Sequence, residues 1–118
     1  MVQRGGSAQV DMRAGGIVGG GYTLRAAGVV EVDPPSIALG ATGEYLINIA
    51  NNPTDYIVCQ VGDIIFMTPP SSMENGLNVE GIAVTATDVV TVRITNTVST
   101  DPEDGAKRSW AYVIFAKN

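Results

Sequence analysis

From residue 22 onward the chain is written in short runs in which apolar and polar side chains alternate, each run ending near Gly, Pro, Asn or Asp. Alternation with a period of two places successive side chains on opposite faces of an extended strand. The clearest example lies at 82–95. Ile82, Val84 and Ala86 fall on one face, with Ala83, Thr85 and Thr87 on the other. After Asp88, Val90, Val92 and Ile94 alternate with Thr91, Arg93 and Thr95. Two such runs joined by a short polar turn predict a β-hairpin.

The remaining runs obey the same grammar. Residues 23–32 carry Val29, Val30 and Val32 and stop at Asp33-Pro34-Pro35, where proline cannot continue a sheet ladder. Residues 44–50 set Tyr45, Ile47 and Ile49 against Glu44, Leu46 and Asn48, and end at Asn51-Asn52-Pro53. Residues 56–61 are β-branched and apolar, and Gly62-Asp63 punctuates them. Ile64-Ile65-Phe66-Met67 is apolar on both faces, the pattern of a central strand, and Pro69-Pro70 closes it. The last run, 110–116, has Trp110, Tyr112 and Ile114 on one face and Ala111, Val113 and Phe115 on the other. Such a strand belongs inside the structure or against a neighbouring chain. Helical spacing never persists beyond one short turn at 71–75, which Ser71 or Ser72 would cap. About seven or eight short antiparallel strands predict an all-β domain, a β-sandwich or jelly roll.

The first 21 residues differ. Gly5, Gly6, Gly15, Gly16, Gly19, Gly20 and Gly21 are half of the chain's 14 glycines. Fixing glycine costs more backbone entropy than fixing any other residue, so residues 1–21 read as a flexible arm before a sandwich domain at 22–118. An ordered arm would need a partner surface, or would add an irregular edge strand to its own domain.

Composition narrows the chemistry. At 118 residues, one domain can hold a core without staples or metals. The chain is 45% hydrophobic and only 16% charged, which points to surface not meant for water, such as an assembly interface. A net charge of −5 with scattered Lys and Arg argues against nucleic acid and against an anionic membrane. No apolar run has the length of a secretory signal or a membrane span. The lone Cys59 sits in an apolar stretch and reads as a buried thiol made in a reducing cytoplasm.

The sequence contains no histidine, which removes the commonest general base, the Ser-His-Asp and Cys-His arrangements and the usual imidazole metal ligands. Paired carboxylates could still hydrolyse glycosides, but the acidic residues mostly lie in turns beside Gly, Pro or Asn, where Asp bonds its own backbone. Asp101-Pro102-Glu103-Asp104-Gly105 lacks the spacing of an EF-hand loop, so a solvated turn is favoured over a calcium site. Residues 15–21 have neither the helix nor the lysine of a phosphate-cradling loop. No cofactor, metal ion or catalytic residue is expected. Among the aromatics, Tyr22 and Tyr56 border turns and are the candidate exposed binding platforms; the rest alternate within strands and suit core packing.

One ordered set of turns and strands carries a resemblance. Gly62-Asp63, an apolar strand, Pro69-Pro70, Gly76-Leu77, the Val/Thr hairpin ending at Asn96, Asp101-Pro102 and the Trp110 strand follow one another between residues 34 and 115. This order resembles a module of tailed-bacteriophage structural proteins, found in capsid decoration, head-fibre and tail-associated proteins as a compact, often trimeric β-sandwich. The resemblance implies a virion structural protein: a capsid decoration protein made in the host cytoplasm and bound outside the head as a homo-oligomer, a trimer first of all, with the major capsid protein or another virion protein as partner. Gly62-Asp63 and Pro69-Pro70 would bracket a buried strand, and Arg93 with Asn96 would end the hairpin. Arg4, Gly5, Gly6, Arg13, Gly15, Gly16, Gly19, Gly20 and Gly21, outside the resemblance, are the expected capsid or oligomer contacts. The alternative is a tail, fibre or baseplate component that touches host carbohydrate.

Overall fold

A computed structural model describes residues 17–18, 21–71, 73–74, 76–98 and 103–117. The chain is all-β: the described residues contain no helix. Among the described residues nine strands follow in order: β1 (Ile17–Val18), β2 (Tyr22–Val32), β3 (Ser36–Ile37), β4 (Thr42–Ile47), β5 (Ile64–Thr68), β6 (Leu77–Ala86), β7 (Val89–Asn96), β8 (Glu103–Asp104) and β9 (Arg108–Lys117). They form a four-stranded sheet, β1-β2-β9-β5, and a three-stranded sheet, β4-β7-β6, with β3 and β8 as a small separate pair. Every pairing is antiparallel. The two larger sheets are the layers of a β-sandwich.

The alternating pattern decides which side chains meet between the layers. Val30 and Val32 of β2 and Trp110 and Ile114 of β9 come from one sheet. Ile47 of β4, Leu77 of β6, and Val90, Val92 and Ile94 of β7 come from the other. All are buried, and Trp110 keeps only 1% of its surface exposed. Burying each large aliphatic side chain stabilises the fold by roughly 1.5–3 kcal/mol before entropy is subtracted. The hairpin is as predicted: β6 and β7 pair from Leu77↔Asn96 to Ala86↔Val89, and the turn puts Asp88 at φ 58°. Left-handed backbone is tolerated best by Gly, Asn and Asp, which explains an Asp there.

Two buried asparagines tie separate elements together. Asn52, in the turn after β4, donates from Nδ2 to the Glu31 carbonyl of β2 (2.8 Å) and accepts from the Tyr45 hydroxyl of β4 (3.1 Å). One side chain therefore links both sheets. Asn96, at the end of β7, donates to the Ile37 carbonyl of β3 (2.9 Å). Gly43 lets this corner close, because a Cβ there would fall 2.8 Å from Ile37 Cγ1.

Three sequence expectations need correction. Residues 56–61 form no strand and enter no ladder; Ile57 and Cys59 are buried in the core and Val58 is exposed. The Cys59 backbone is met by Asp88, which accepts from the Cys59 N–H (3.0 Å) and donates its own N–H to the Cys59 carbonyl (2.8 Å). Ile49 is 63% exposed, not inward, because β4 ends at Ile47 and the chain turns at Asn48. Most consequentially, β5 is an edge strand. Gly62-Asp63 and Pro69-Pro70 do bracket it, but among the described residues it pairs with β9 alone, and it is half exposed. In addition, β1 pairs with β2, so the sheet reaches back into the stretch read as arm.

Asn52→Ala should cost about 1–3 kcal/mol in urea denaturation, since it strands the Tyr45 hydroxyl and the Glu31 carbonyl. Ile49→Ala, at an exposed site, should stay within about 0.5 kcal/mol of wild type.

Candidate interaction surface

Each strand has two faces, and the sandwich hides one of them. On the three-stranded sheet the outer face is mostly polar and internally bonded, with Leu46 and Ala83 among its exposed apolar residues and Thr91 buried among its neighbours. The Thr85 and Thr91 hydroxyls lie 2.8 Å apart, and those of Thr42 and Thr95 lie 3.0 Å apart. Glu80 accepts from Thr95 (2.7 Å), and Arg93 pairs with Glu44 (2.8 Å). Such exposed pairs add little stability, but they suit a face that meets water.

The outer face of the four-stranded sheet is built differently. Strand register places its side chains in cross-strand rows. Leu24, Phe115 and Ile64 form one row; Ala27, Val113 and Phe66 form the next; Val29, Ala111 and Thr68 form the third. None of these side chains is charged. Phe66 is 60% exposed and Val29 64% exposed. The Phe66 ring meets Phe115 edge-on, with centroids 6.2 Å apart. Phe66, Thr68, Ala111, Tyr112 and Val113 line a shallow depression of about 230 Å³. Charge returns only at the ends, with Lys117 opposite Tyr22 and Glu31 opposite Ser109. A contiguous apolar face rimmed by polar residues marks an interaction surface.

This is not where the sequence placed its candidates. Tyr22 and Tyr56 are both half-buried, and the aromatic ring most open to a partner is Phe66. The pattern around Phe66 reads as a central strand because the run is apolar on both faces. The signal for its exposure was Pro69-Pro70 together with the short five-residue run, both common features of edge strands. Gly21 is exposed, at φ 89° in the turn before β2. Arg4, Gly5, Gly6, Arg13, Gly15, Gly16, Gly19 and Gly20 lie outside the described residues, as do Asp101 and Pro102.

The reactive groups that are described serve the fold. Asp63 accepts from the Gln60 N–H (2.9 Å) and pairs with Arg25 (3.1 Å). Arg25 is the extra residue of the β2 bulge between Leu24 and Ala26, and the bulge frees its side chain for this contact. Gly62, at φ 103°, supplies the backbone that the Gln60-to-Asp63 turn requires. Glu74 receives the Ala106 N–H (3.1 Å) and the Arg108 guanidinium (2.9 Å). Burial pushes its carboxyl up, but these donors outweigh burial and hold it below the ordinary 4.5. The Cys59 thiol is pushed up by burial first and by the charges of Asp88 and Asp63 next. Among the described residues, no three His, Cys, Asp or Glu side chains gather as a metal site would require.

Comparison with protein-family models, with curated proteins and with solved structures finds no match.

Two predictions follow from these environments. The Cys59 thiol should resist a soluble disulfide reagent in the native protein and react completely in denaturant, as absorbance would record. Glu74, with its folded-state pKa lowered, contributes stability that is complete above the ordinary carboxyl range and is lost as the pH falls through its lowered value. Melting temperatures measured from about pH 6 down to about pH 3 should therefore fall less for Glu74→Gln than for wild type.

Proposed function

We propose that this chain is a non-enzymatic structural module that acts by assembly, with copies of itself and with a larger particle. The observation that carries the reading is the contrast between the two outer faces. One is threonine-rich, bonded and suited to solvent; the other shows three uncharged rows centred on Phe66 and Val113. A solvent face needs no such rows, whereas the core of an interface is depleted in charge and enriched in aromatic residues. Three of the loop carboxylates are engaged in the fold: Asp63 and Asp88 with backbone amides, Glu74 with Arg108 and a backbone amide.

The resemblance of residues 34–115 to phage structural modules supports a specific form of this reading. The chain is a capsid decoration protein, made in the host cytoplasm and fixed outside a tailed-phage head as a homo-oligomer in contact with the major capsid protein. The glycine-rich N-terminus is the part whose composition favours ordering on a partner, which gives a spread attachment. Several arms on one oligomer multiply weak contacts into stable attachment.

Co-sedimentation with empty phage heads tests this. The full chain should pellet with heads and saturate. A chain lacking residues 1–16, which leaves β1 in place, should stay in the supernatant with a nearly unchanged melting temperature. A full chain that never pellets, or a shortened one that pellets equally well, would contradict the respective part of the proposal.

A further inference from the structure

We draw no further inference here: the strongest candidate, the apolar outer face of the four-stranded sheet centred on Phe66 and Val113, belongs to the surface already described, and nothing in the structure shows which partner covers it.

Discussion

A two-layered sandwich can hide one face of each sheet and no more. That limit governs this molecule, because its sequence supplies more apolar strand surface than two inner faces can use. The three-stranded sheet respects the limit: Val90, Val92 and Ile94 go inward, and Arg93, Thr95 and their neighbours outward. The four-stranded sheet does not. Its β9 carries Trp110 and Ile114 inward and Val113 and Phe115 outward, and β5 does the same with Ile65 and Met67 against Ile64 and Phe66. The hydrophobic effect that closes the core therefore leaves a second apolar face without cover from the described residues of its own chain.

Much of the fold was legible because alternation is a local property. The β6–β7 hairpin, the inward set of β9 and the stop of β2 at Pro34-Pro35 follow from neighbouring residues alone. What the pattern could not settle was who covers a face. Ile64-Ile65-Phe66-Met67 reads as central because both its faces are apolar, yet a sequence does not say whether the second face meets its own chain or another. The same limit affected Tyr22 and Tyr56: a position beside a turn suggests exposure, but neighbouring elements leave both residues only partly exposed.

Polar side chains acting at long range were the other blind spot. Asp88 reads simply as a hairpin turn residue, and its φ of 58° agrees. Its carboxylate also takes the Cys59 N–H from 29 positions away, which meets that backbone group where residues 56–61 join no ladder. Asn52 reads as part of an Asn-Asn-Pro turn but reaches Glu31 across the sandwich. These contacts fix how the layers sit on one another, whereas the apolar residues fix only that they are layers.

The central claim is that one outer face is covered by protein in the working state and the other by water. Attenuation of methyl signals by a soluble paramagnetic probe, recorded at low and at high protein concentration, tests this most directly. The Val29, Ile64 and Val113 methyls should lose their attenuation as concentration rises, while those of Thr42, Thr85 and Thr95 stay fully attenuated throughout. Equal attenuation of both sets at every concentration would contradict the claim.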